Sequence, residues 1–127
     1  MFKLQKIVGG RINVPEPEMH VAGADITPGM ALKFNAGKLV ACTGTTKPEY
    51  IAHGKAASGE NVAVYAVSEG MVFEVPCSAA PTALVEGDKV TLGTDGLTVT
   101  ATKTDGVATI ISLNGATKAG DTLVVKF

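Results

Sequence analysis

Short runs in which apolar and polar residues alternate recur along the whole chain. Met71, Phe73 and Val75 share one face of "GMVFEV", Leu97, Val99 and Ala101 share one face of "GLTVTAT", and "KVTL" alternates in the same way. A period of two marks a strand with one buried face. Turn signals stand between the runs: "NAG" at Asn35–Gly37, "SEG" at Ser68–Gly70, "TDG" at Thr94–Gly96 and again at Thr104–Gly106, and "NG" at Asn114–Gly115. Such residues admit the positive φ angles of tight hairpins. No long run of helical period with caps interrupts the series. The spacing predicts an all-β fold, a small barrel or a sandwich.

One phrase is written four times. In "PGMALKF", "SGENVAV", "EGDKVTL" and "AGDTLVV" a glycine is followed by apolar residues three and five positions later. These are Leu32 and Phe34 after Gly29, Val62 and Val64 after Gly59, Val90 and Leu92 after Gly87, and Leu123 and Val125 after Gly120. The spacing from Gly29 to Gly87 nearly matches that from Gly59 to Gly120. The phrases therefore pair into two similar β-rich halves, a pseudo-repeat over 26–67 and 84–127. Neither half alone can bury both faces of its sheet, so one compact unit built from both is expected over 25–127.

Residues 1–24 break the pattern. Val14-Pro15-Glu16-Pro17-Glu18 places prolines at alternate positions, which favours an extended chain and removes ladder donors. This stretch reads as an extended N-terminal arm. Its apolar residues (Phe2, Leu4, Ile7, Val8, Ile12, Val14) need a surface to cover them, the protein's own or a partner's.

Composition narrows the chemistry. The chain has 127 residues, 46% hydrophobic, 18% charged and 5% aromatic, with no Trp and a formal net charge of -1. It is one domain with enough apolar residues for a core. Near-neutral charge provides no field toward nucleic acid or an anionic membrane. No apolar run is long enough to span a bilayer, and Lys3 and Lys6 interrupt any leader-like segment. Cys42 and Cys77 sit in no metal or redox spacing and read as buried free thiols, with a single disulfide as the alternative. His20 and His53 have no chelating neighbour. Ser58, Ser68, Ser78 and Ser112 lack a nucleophile elbow, and Glu16 and Glu18 read as solvated charges rather than an acid/base pair. Gly-Asp turns opening a strand also occur in lipoyl and biotinyl barrels, but Lys38, Lys47, Lys55 and Lys103 lack the context of a cofactor lysine. No catalytic residue, cofactor or metal is expected, and an enzyme is not.

The run "ADITPGMALKF…LVACTG…IAHGKAASGENVAVYAVSEGMVFEVP", continued by "LVEGDKVTLGTDGLTVTAT…AGDTLVVKF", resembles the small Gly/Ala/Val/Thr-rich capsid decoration (cement) proteins of tailed bacteriophages. The likeness covers about Asp25 to Phe127, and "GGRINVPEPEM" looks like the start of such head proteins. The resemblance implies a structural virion protein on the capsid exterior, made in the host bacterial cytoplasm. It implies binding to the major capsid protein as a homo-oligomer, a trimer by the family's habit, cementing neighbouring capsomers. The Pro-rich arm then makes Ile12, Asn13, Val14, Pro15, Glu16 and Pro17 the expected capsid-binding run. Removing residues 1–17 is expected to abolish lattice binding and leave the β domain folded. The alternative is a small β module of a phage fibre or bacterial surface protein, binding carbohydrate or peptide. That reading asks for an exposed aromatic platform, which Tyr50, Tyr65 and four Phe supply poorly.

Overall fold

A computed structural model describes residues 1–7 and 16–127. Ten strands form among these residues: β1 (Lys3–Ile7), β2 (Glu18–Val21), β3 (Ala31–Asn35), β4 (Lys38–Ala41), β5 (Tyr50–Ala52), β6 (Asn61–Ala66), β7 (Met71–Pro76), β8 (Lys89–Val90), β9 (Ala108–Ser112) and β10 (Thr122–Lys126). No helix occurs among the described residues. The strands make two antiparallel sheets that pack as a sandwich rather than closing into one barrel. The N-sheet has the order β2-β6-β5-β3-β4, and the C-sheet β1-β7-β10-β9-β8.

The recurring glycine phrase is a type II turn feeding a strand. Gly87 and Gly120 sit third in their turns at φ of 91° and 89°, a conformation that disfavours any residue with a Cβ. The next residue closes each turn, Asp88 N–H to Val85 O at 3.1 Å and Asp121 N–H to Lys118 O at 3.2 Å. The acidic side chains add a second tie. Asp88 Oδ2 accepts from Val85 N–H at 2.9 Å, and Asp121 Oδ2 from Thr117 and Lys118 N–H at 2.9 and 3.1 Å. The turn before β6 repeats this with Glu60, whose Oε1 accepts from Ala57 N–H at 2.7 Å.

These backbone bonds hold the Asp88 and Asp121 carboxyls below their ordinary range. A carboxyl held low in the folded state stabilises the fold above its unfolded value, and that contribution is lost as pH falls through the folded value. The melting temperature is therefore expected to fall below about pH 4. In the double variant Asp88→Ala and Asp121→Ala it should start lower and respond less to acid. Parallel melting curves for both proteins across that window would remove these turns as the cause.

Strand pairing repeats in register as well as in turns, over a range that takes in β2 and β7, outside 26–67 and 84–127. Leu32 pairs with Tyr50 as Val90 does with Ala108, Ala52 with Val64 as Ile110 with Val125, and His20 with Val62 as Val75 with Leu123. Backbone ties match too. Ala22 and Gly59 exchange with the Glu60 turn as Cys77 and Gly120 do with the Asp121 turn. The N-sheet curls until its far strand β4 meets this strand end through the parallel bridge Ala22–Leu39, and in the second half Val99, outside the ten strands, makes the matching bridge to Cys77. Ile26, Leu32, Leu39, Val62 and Val64 fill the hollow of the N-sheet. Phe73, Val75, Val90, Leu92, Ile110, Leu123 and Val125 fill that of the C-sheet, joined there by Ala31, Cys42 and Ile51 from the N-sheet's other face. Gly44 and Leu92 exchange backbone bonds at 3.1 and 2.9 Å, stitching the halves together.

Gly106 lies directly against the backbone of β8. A Cβ there would lie 2.3 Å from the Lys89 carbonyl carbon and 2.6 Å from Val90 N. Backbone cannot swing aside as a side chain can, so Gly106→Ala should cost roughly 1–3 kcal/mol by forcing β8 away. Chemical denaturation measures it, and an unchanged midpoint would mean that the loop relaxes freely.

The N-terminal stretch departs from the arm expected over 1–24. It is extended, but its described parts are strands of the body. β1 pairs with β7, Leu4 opposite Phe73 and Ile7 opposite Met71, with a bulge at Gln5. β2 pairs with β6 along its whole length. The reason is Phe2, only 2% exposed. Its ring packs 6.2 Å from that of Phe73 and 5.5 Å from that of Phe127, centroid to centroid. Burying that ring against the protein's own core outweighs the freedom of an arm. Removing residues 1–17 would thus take away a core aromatic and an edge strand, against the expectation that the β domain stays folded.

Candidate docking face

β2, β3 and β5 bring His20, Phe34 and Tyr50 together at one end of the N-sheet's hollow. The ring centroids lie 5.2 Å apart for His20–Phe34, 5.1 Å for His20–Tyr50 and 5.6 Å for Phe34–Tyr50. Two of the three pairs meet nearly edge to face, at 88° and 85°, the arrangement that ring quadrupoles favour. Phe34 remains 41% exposed. Glu18 lies beside the cluster, its carboxylate 3.5 Å from His20 Nε2. Glu49 Oε2 accepts from Phe34 N–H at 3.0 Å. Partial burial first, then the two glutamates, push the Tyr50 hydroxyl above its ordinary value. The patch therefore combines one open ring, two backing rings and negative charge.

Of the expected capsid-binding run, Ile12, Asn13, Val14 and Pro15 lie outside the described residues. Glu16 and Pro17 are exposed and lead into β2 beside this patch. The segment 8–15 thus joins the end of β1 on one sheet's edge to the start of β2 on the other's. His53 is exposed, away from the ring cluster. Cys42 and Cys77 are buried free thiols. Cys42 Sγ donates to Thr46 O at 3.1 Å, and burial pushes the thiol up to about 11. Cys77 Sγ donates to Asp121 O at 3.2 Å, tying it to the last turn. Lys103 pairs with Asp88 at 3.3 Å, and Ser58 Oγ donates to Gly23 O, so both serve turns. No cluster of metal-ligating side chains occurs among the described residues. A surface groove of about 330 Å³ runs beside β1 between Phe2, Leu4, Pro28 and Tyr65. Its lining is mainly apolar, and burial pushes the Tyr65 hydroxyl up to about 12.

The ring cluster is the feature that sequence reasoning missed. Its members come from three strands and sit at separations that match no local motif. Only the pairing of β5 with β3, and the curl that brings β2 against β4, draw them together.

No family model and no curated protein sequence matches the chain. Among solved structures it is similar to the N base of head fibre gp8.5 in bacteriophage phi29, with a TM-score of 0.63 and 16% identity. The match covers 90% of this chain and 94% of that one. Likeness at this identity establishes a shared fold.

Proposed function

We propose that this chain is a structural protein of a bacteriophage virion, binding the outside of the head and holding neighbouring capsomers together. The observation that carries the reading is the likeness in fold, over nearly the whole of both chains, to the base of a phage head fibre. The phrases shared with capsid decoration proteins point the same way from the sequence. The physical character of the chain fits a geometric task. Ten strands stitched by long-range pairing make a stiff body, and the acid-capped turns keep its connections short. The reading involves no catalysis.

The docking run in this reading is Ile12–Pro17. Both flanks of 8–15 are sheet edges, so any grip on a capsid subunit is passed directly into the body of the domain. Several copies gripping adjacent capsomers would bind far more tightly than one contact alone, because each later contact forms at high local concentration. A trimer satisfies this at three-fold positions.

The test is co-sedimentation of the purified protein with expanded, undecorated capsids of its own phage, with the solution mass measured alongside. Saturable binding at a fixed ratio to the capsid subunit is expected, and a mass of three chains. No binding to those capsids overturns the reading and turns attention to glycan and peptide screens of a free-standing module.

A further inference from the structure

The two halves share register, but only one has its outer edge covered. The match of Glu18–Val64 with Phe73–Val125 sets Glu16–Met19 opposite Met71–Glu74 in the repeat. At Met71–Glu74 the outer edge of β7 carries β1. At Glu16–Met19 no strand among the described residues pairs with the outer edge of β2. The side chains follow the same division. In the C-sheet, Phe73, Val75, Leu92 and Ala108 are buried together, with the rings of Phe2 and Phe127 packed on Phe73. The matching N-sheet positions are Glu18, His20, Phe34 and Tyr50, the partly open patch described above.

We infer that the outer edge of β2 at Pro17–Met19 accepts a strand from another protein, an extended segment that alternates basic and apolar side chains. Backbone geometry sets the first requirement. Ala22 donates to Glu60 O and accepts from Gly59 N–H, both at 2.8 Å, so its polar groups face β6. Alternation along an antiparallel strand then turns those of His20 and Glu18 toward β6 and those of Met19 outward. Pro17 has a carbonyl on the outer side but no N–H. An added strand finds the Met19 N–H and C=O and the Pro17 C=O. The proline limits casual pairing by withholding one donor.

Charge sets the second requirement. Glu16 and Glu18 stand on this edge, with Glu49 behind Phe34. A Lys or Arg opposite Glu18 gains the carboxylate and lays its stem or charge on the Phe34 and Tyr50 rings. The residue opposite Met19 points to the other face of the sheet, where Met19 is 61% exposed, so an apolar side chain suits it. A second copy pairing through the same edge would oppose glutamates to glutamates, which disfavours it. The site deepens the proposed function and rests on it only for the source of the segment, a capsid protein. The peptide test below needs no capsid, so the two can fail separately.

The probes are two capped pentapeptides, Val-Lys-Val-Lys-Val and Val-Glu-Val-Glu-Val, titrated into the isotope-labelled full chain by NMR. Saturable binding of the lysine peptide is expected, with shifts centred on the Met19 amide and the Phe34 and Tyr50 rings. The glutamate peptide should bind at least about tenfold more weakly. Met19→Pro removes the outward donor and should abolish binding while the spectrum of the C-sheet stays unchanged. Glu18→Lys, which alters no backbone group, should reverse the preference between the peptides. Absence of saturation at millimolar peptide overturns the inference. So does equal binding of the two peptides, or shifts centred on the edges formed by β1, β4 or β8.

Discussion

Replacing Phe2 with Ala is expected to lower the unfolding free energy by about 3–5 kcal/mol, a large share of the roughly 5–15 kcal/mol that holds a domain of this kind folded. Phe2 is fully enclosed, its ring meets those of Phe73 and Phe127, and its N–H donates to Gly29 O at 2.7 Å. Truncation leaves a hole lined by Phe73 of β7 and by Phe127 just past β10, which cannot close in without breaking the β1–β7 ladder. Phe34→Ala is the control, because its ring already meets water and should cost less than about 1 kcal/mol. Urea denaturation followed by circular dichroism compares the two. A loss below about 1 kcal/mol at Phe2 would mean that β1 is an ornament and that the arm description of residues 1–24 was sound.

The second large effect concerns binding. Exchanging Ile12–Pro17 for a Gly/Ser run of equal length should reduce affinity for expanded capsids by about 100-fold or more, since each copy loses its grip and multivalency multiplies the loss. This exchange is a cleaner test than removing residues 1–17, because β1 and Phe2 remain in place and β2 begins only at Glu18. The melting temperature should therefore move little while the sedimented fraction collapses. Wild-type binding by the exchanged protein would clear these six residues and direct attention to the strand edges alone.

Much of the fold could be read from residue order, for identifiable reasons. The Gly-acid turns are local: Gly87-Asp88 and Gly120-Asp121 close on themselves through bonds spanning three or four residues, so composition alone reveals them. The same holds for Ala36-Gly37, where two successive positive φ angles of 50° and 78° make the tight hairpin between β3 and β4. β1 and β2 were not legible. "KLQKI" and "EMHV" carry their charges on exposed sides of edge strands, which blurs the alternation, and the prolines between them suggest a free arm. Phe2 could not be recognised as core because the residues it meets lie some seventy and more positions away, in β7 and at Phe127. The ring cluster was hidden for a similar reason. Each of His20, Phe34 and Tyr50 looks ordinary in its own strand, and only sheet order makes them neighbours.

The position of β1 also bears on how the chain is made. The N-sheet is assembled from residues 18–66, continuous in sequence, so it can form as soon as that length leaves the ribosome. β1 has no such opportunity. Its ladder partner is β7, and the ring that completes the seat of Phe2 is Phe127. Residues 2–7 thus precede the N-sheet in synthesis but are placed only after Phe127 has been made, and until then Phe2 has no seat. A slow late step, docking Phe2 and β1 onto sheets already formed, follows from the long sequence separation of that contact.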